Sequence, residues 1–146
     1  MIRKPLAYFD SSVAIKRYLH EAGSGTTSQL IRQYRIVSSR LTPVEIKSVI
    51  GRRHTGGDLV DKAYDAVIRK LTTDLMKWQI IALSPGIMDS AEELVQSYNV
   101  RTLDAIHIAS ALAFNAQMRG KIPFITADLR QRDAAMQAGL KIITVE

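Results

Sequence analysis

Five short apolar runs punctuate this chain, and between them the apolar residues fall at helical spacing. Leu6-Ala7-Tyr8-Phe9, Arg35-Ile36-Val37-Ser38, Ile80-Ile81-Ala82-Leu83, Ile122-Pro123-Phe124-Ile125 and Lys141-Ile142-Ile143-Thr144-Val145 are each four or five residues long. That length suits a buried strand and is too short for a helix. Parallel strands need a crossover between them, usually a helix, and that helix covers the sheet. The alternation therefore predicts an α/β fold with a central parallel sheet of about four to five short strands flanked by helices.

The intervening segments predict the helices. Asp10-Ser11-Ser12 ends the first strand and caps a helix through Val13, Ala14, Ile15, Tyr18 and Leu19. Gly23-Ser24-Gly25 breaks it, and a second helix runs from Thr26 to Tyr34. Leu41 to His54 reads as a helix ended by Gly56-Gly57. A longer one spans Asp58 to Lys77, with Val60, Ala63, Tyr64, Val67, Ile68, Leu71 and Leu75 on its apolar stripe. No strand separates these two, which predicts a projecting αα-hairpin. Further helices start at Ser84-Pro85 and run over Thr102–Met118, apolar on most sides, and Leu129–Ala138, closed by Gly139. No linker divides the 146 residues, so 1–146 reads as one domain.

Composition narrows the function. With 47% hydrophobic and 23% charged residues the chain has a normal core and is not a disordered segment. It has no cysteine, which excludes disulfides and thiolate metal sites. The opening Met-Ile-Arg-Lys-Pro lacks a signal-peptide run, and no stretch reaches membrane-spanning length, so a cytoplasmic protein without membrane contact is expected. Twenty Lys and Arg against 14 Asp and Glu give a net charge of +6, which favours an anionic partner such as nucleic acid.

Against that basic background four acids fall at element junctions. Asp10 follows the first strand, Glu45 lies near the start of the third helix, Asp104 in the first turn of the apolar helix, and Asp128 after the fourth strand. Singly, each reads as a helix cap. Asp10 and Asp128 suit the N-cap position, Thr42-Pro43-Val44-Glu45 fits a capping box, and Asp104 is favoured by the helix dipole. Jointly, strand ends and the helix starts after them share one edge of a parallel sheet, where ligand sites form. Clustered carboxylates resist ionisation beside one another, and a hard divalent cation relieves this. Oxygen-only donors suit Mg²⁺ or Mn²⁺. His20, His54 and His107 have no zinc-ligand spacing; His107, one turn beyond Asp104, reads as a packed histidine rather than a general base.

The segments Tyr8-Phe9-Asp10-Ser11-Ser12, Leu41-Thr42-Pro43-Val44-Glu45, Arg101-Thr102-Leu103-Asp104-Ala105-Ile106-His107-Ile108-Ala109 and Phe124-Ile125-Thr126-Ala127-Asp128 resemble, in order and spacing, the PIN-domain family. The length and the Asp104 segment are most similar to the VapC toxins of toxin–antitoxin pairs. The resemblance covers nearly the whole chain. It implies a Mg²⁺- or Mn²⁺-dependent endoribonuclease in which Asp10, Glu45, Asp104 and Asp128 bind the metal. Ser12 and Thr126 would support the acids. Lys16, Arg17, Arg40, Arg101 and Arg130, with Lys47, Arg52, Arg53 and Arg132 as further candidates, would contact the RNA backbone. It also implies a homodimer and a cognate antitoxin, for which the apolar residues between Val60 and Leu75 are one candidate seat; packing within the domain is the other. Asp133, five residues after Asp128, is left outside the core set.

Three other readings stay open. A haloacid-dehalogenase-like phosphatase also opens with a strand and an Asp, but would place a second acid where Ser12 stands and needs a downstream lysine. A receiver domain would need an acidic pair after the first strand. A PIN-type module that binds RNA or a partner without cutting is the non-enzymatic alternative.

Overall fold

The first strand, β1 (Leu6–Phe9), has Ala7, Tyr8 and Phe9 fully buried, so protein covers both of its faces. The computed structural model describes residues 3–146. After β1 come α1 (Ser11–Ala14), prolonged by a 3-10 turn at Ile15–Arg17, then α2 (Ser24–Gln33), β2 (Arg35–Ser39), α3 (Leu41–Thr55) and α4 (Asp61–Leu75). The second half comprises β3 (Gln79–Ile81), α5 (Pro85–Ser97), α6 (Thr102–Met118), β4 (Pro123–Thr126), α7 (Leu129–Gln137) and β5 (Lys141–Thr144). All five strands are parallel, in the order β3-β2-β1-β4-β5. No helix among the described residues is long and apolar enough to cross a membrane.

Strand side chains alternate between two cores. Tyr8, Val37 and Phe124 face α5, α6 and α7, packing with Ile87, Leu94, Ile108 and Ala135. Ala7, Phe9, Ile36 and Ile125 face the other way, onto Val13 and Leu30. Helix α6 buries seven consecutive residues, Ala105 to Ala111, because it lies between the sheet and α5. A third cluster joins Ala14, Ile15, Tyr18 and Leu19 to Ile46 and Ile50 of α3 and Leu71 of α4. The αα-hairpin is thus fastened to the start of the chain, and Tyr64, Val67, Ile68 and Leu75 pack against that cluster within the domain. Val60, at the hairpin's turn, is 67% exposed.

The structure corrects several local expectations. Helix α1 has one regular turn before it tightens, as Tyr18 and Leu19 turn into the hairpin's core. Helix α4 starts at Asp61, three residues later than the pattern suggested, after the turn closed by Gly57 at φ 88°. Thr42 is not the cap of α3. That position is held by Arg40, with no side-chain cap bond, and Thr42 is buried against the Ser38 hydroxyl at 2.6 Å. The Ser38 hydroxyl donates to the Phe9 carbonyl at 2.6 Å, so Thr42 donates to Ser38, and the start of α3 is pinned to the end of β1. Gly23 at φ 89° precedes α2, where a Cβ would stand 2.7 Å from a Val145 methyl.

Candidate active site

The strand order reverses between β1 and β4. From β1 the chain moves outward to β2 and β3, then returns to place β4 on the other side. The ends of β1 and β4 therefore flank a crevice of the kind where open parallel sheets bind ligands. Asp10 closes β1 and Asp128 follows β4. Glu45, from the second turn of α3, and Asp104, from the first turn of α6, complete the wall. All four line one open cavity of about 500 Å³, together with Ser12 and Arg101.

The capping and clustering geometries coincide. Asp10 is an N-cap, accepting from the Ser12 amide at 3.1 Å, and Asp128 caps α7 through the amides of Arg130 and Gln131 at 2.9 and 3.0 Å. Asp10 is only 2% exposed, so its carboxylate depends on bonded partners. The Ser12 hydroxyl donates to Oδ2 at 2.5 Å and the Gln131 amide donates to Oδ1 at 3.1 Å. Gln131 is fully buried and is oriented by the Thr126 hydroxyl, which donates to its Oε1 at 2.6 Å. Of the two residues expected beside the acids, Ser12 bonds the Asp10 carboxylate, whereas Thr126 bonds Gln131 and accepts from the Asp128 amide at 3.1 Å, with no bond to an acid side chain among the described residues. Gln131 was not expected. Its signal was a polar residue three positions after a capping acid, on the helix face shared with the buried Ala134 and Ala135.

Glu45 does not reach back along its own helix. It accepts from His107 Nε2 at 2.6 Å. Asp104 and Asp128 share a guanidinium, with Arg101 Nε 3.2 Å from Asp104 and its terminal nitrogen 3.0 Å from Asp128. Burial, with the charges of Asp10 and Asp128, holds the Asp104 carboxyl above its ordinary range, against the pull of Arg101. Burial disfavours charge on His107, but Asp10, Glu45 and Asp104 outweigh it and raise the ring's pKa. Burial and the charges of Asp10 and Glu45 push the Tyr8 phenol well up, so it stays protonated.

A divalent cation here would meet carboxylates from four segments. Among the described residues no three acidic or histidine side chains converge as placed on one ion position. The donors are nonetheless all carboxylate oxygens, the hard set that Mg²⁺ and Mn²⁺ take. A positive group, the Arg101 guanidinium, already spans Asp104 and Asp128 as a stand-in cation. Chemically the residues fit.

The basic candidates divide. Arg101 lines the cavity with its side chain 67% exposed. Arg40 and Arg130 are exposed at neighbouring junctions, and Arg130 borders a shallow groove with Asp133. Lys16 and Arg17 do not line the cavity. Lys16 is tied to Glu21 at 3.0 Å and the Ala22 carbonyl at 2.7 Å. Arg17 pairs with Asp74. Adjacent residues on a tight 3-10 turn point in different directions, so only Ile15 of that turn reaches the cavity.

Known proteins are similar to this chain in sequence and in fold. Ribonuclease VapC45 of Mycobacterium tuberculosis is 29% identical over 110 residues, covering 75% of this chain and 76% of that one. Ribonuclease VapC46 of the same species is 28% identical over 137 residues, covering 93% and 95%. A toxin–antitoxin complex from Klebsiella pneumoniae superposes with a TM-score of 0.63 at 21% identity, over 94% of this chain and 96% of that one. Residues 7–136, which hold β2, β3, β4, all of β1 but Leu6, and all four acids, match the PIN domain, and the chain belongs to that family.

Proposed function

We propose that this protein is an endoribonuclease that hydrolyses RNA phosphodiester bonds with Mg²⁺ or Mn²⁺ held by Asp10, Glu45, Asp104 and Asp128. The observation that carries this reading is the meeting of four carboxylates, from four separate segments, around one cavity in a chain of net charge +6. A bound divalent cation would offset phosphate charge and lower the pKa of an attacking water. The chain's own residues hold the acids in place. Ser12 and Gln131 fix both oxygens of Asp10, the α7 amides fix one oxygen of Asp128, and His107 fixes Glu45. Arg101, held only at the solvent-facing rim, is placed to exchange its carboxylates for a phosphate of the RNA. In-line attack on this pattern leaves a 3′-hydroxyl and a 5′-phosphate. Among the described residues no lysine lines the cavity, which weighs against the phosphatase reading.

Likeness to ribonucleases VapC45 and VapC46 supports the reading as the toxin of a toxin–antitoxin pair, and the sequence's resemblance to the VapC toxins implies a homodimer. Leu103 lines the cavity at 46% exposure, and Val44 and Leu129, beside Glu45 and Asp128, are 60% and 54% exposed. Leu103, exposed on the cavity wall, offers an antitoxin segment an apolar contact there.

The test is incubation of purified protein, freed of any co-purifying partner, with a panel of structured RNAs. Cleavage is expected with Mn²⁺ or Mg²⁺, with 5′-phosphate ends, and is expected to stop on addition of EDTA. Cleavage that persists in EDTA, or products ending in a cyclic phosphate, would overturn the reading. Failure to cut any RNA in the panel, with tight RNA binding retained, would favour the non-cutting module.

A further inference from the structure

Among the described residues His107 is the one buried histidine, and it stands behind the acidic wall. It is 1% exposed, on a stretch of α6 where its neighbours Ile106 and Ile108 are core residues. A buried imidazole is costly unless its nitrogens are bonded. Here Nε2 lies 2.6 Å from Glu45 Oε1 and Nδ1 lies 2.7 Å from the Tyr8 hydroxyl. A carboxylate only accepts, so Nε2 carries the hydrogen whatever the charge of the ring. In the neutral ring Nδ1 then accepts from Tyr8. Asp10 Oδ1, at 3.6 Å from Nδ1, is beyond hydrogen-bond reach. Tyr8 is itself fixed, fully buried and stacked on Phe124 with ring centroids 5.1 Å apart and planes at 7°.

We propose that His107, oriented by Tyr8, is a positioning residue that holds one oxygen of Glu45 and so leaves the other turned to the metal cavity. The inference rests on the metal-dependent reading above. Glu45 needs such a device more than its partners do. Asp10 and Asp128 are short side chains bonded by amides within their own turns. Glu45 is long, and its side chain is 23% exposed. Left free, it would lose rotamer entropy on binding an ion. His107 prepays that ordering from a ring that cannot move, and it reaches Glu45 from the helix that also carries Asp104. Two of the four acids are thus set relative to each other by α6. Residues that orient a metal ligand through its other oxygen typically account for about 10–100-fold in affinity.

The experiment is a Mn²⁺ titration of the full chain without RNA, with free Mn²⁺ read by electron paramagnetic resonance. Wild type, His107→Leu, His107→Gln, Glu45→Gln and the double variant His107→Leu/Glu45→Gln are compared, with folding checked by thermal unfolding in EDTA. His107→Leu is expected to weaken Mn²⁺ binding about 10–100-fold. His107→Gln, whose amide can still donate to Glu45, is expected to recover most of it. In the Glu45→Gln background, His107→Leu is expected to cost little more, because the two residues act as one unit. Tyr8→Phe, which removes one hydroxyl and keeps the stacked ring, is expected to give a smaller loss and serves as the test if His107→Leu does not fold. Unchanged Mn²⁺ affinity in folded His107→Leu, or in Tyr8→Phe where that variant stands in, would overturn the proposal alone. So would equal losses in both Glu45 backgrounds, since His107 would then act through packing. A wild type that binds no Mn²⁺ overturns the metal site itself and this proposal with it.

Discussion

Asp104→Asn is expected to remove RNA cleavage while leaving the metal-free protein at least as stable as the parent. Asn keeps the shape and one oxygen but loses the charge that a hard cation needs. Outer-shell changes at metal sites cost about 10–100-fold, so loss of a direct carboxylate is expected to exceed about 100-fold. The stability effect runs the other way. Burial and the charges of Asp10 and Asp128 raise the Asp104 pKa in the fold. Its contribution is therefore favourable below the unfolded carboxylate value and is lost as pH rises through the folded one. At neutral pH the ionised group opposes folding, and Asn relieves that opposition, the usual exchange between stability and activity at a charged site. Thermal unfolding in EDTA should show a variant-minus-wild-type difference that grows from acid to neutral pH. Retained cleavage would sink the assignment of Asp104. A variant much less stable than the parent at neutral pH would sink the electrostatic account.

The largest stability effect is expected far from the cavity, at Asp74. This residue, in the last turn of α4, is 8% exposed and accepts from Arg17 Nε at 2.6 Å, Arg17's terminal nitrogen at 3.2 Å and the Tyr18 hydroxyl at 2.6 Å. The cluster ties the hairpin to the 3-10 turn after α1. Burial raises the Asp74 pKa, but the bonds from Arg17 and Tyr18 outweigh it and hold the carboxyl below its usual value. Breaking a buried pair from one side costs about 3–5 kcal/mol, because the remaining partner is left unpaired. The Arg17 side chain is 30% exposed and can recover water, so Asp74→Ala is expected near the low end, about 3 kcal/mol. Because the folded pKa is depressed, this stability is present above the unfolded value and lost as pH falls through the folded one. Urea unfolding should show a large gap between wild type and Asp74→Asn at pH 7 that narrows in strong acid. Tyr18→Phe is expected to cost about 1 kcal/mol. Cleavage at a permissive temperature should be unchanged in all of them, since none of these side chains lines the cavity. A constant gap across pH would show that the carboxylate's charge is not what holds the hairpin.

What could be read along the chain is what depends on near neighbours. Strand β1 and helix α6 begin and end where their apolar runs and caps say, and Ser84-Pro85 starts α5 as expected. The four acids were legible as junction residues because capping is local, and the junctions of a parallel sheet share an edge. Everything that joins those junctions depended on packing. His107 meets Tyr8 across 99 positions and Glu45 across 62, and Gln131 meets Asp10 across 121. These partners come together only when the strands take the order β3-β2-β1-β4-β5, which no local pattern specifies. The capping box expected at Thr42 failed for the same reason. A threonine at a helix start satisfies a local rule, but the buried Ser38 and the distant His107 offered Thr42 and Glu45 drier partners than the helix's own amides. Local propensity decided where the acids stand in the chain, and the tertiary fold decided which of their oxygens are held and which face the cavity.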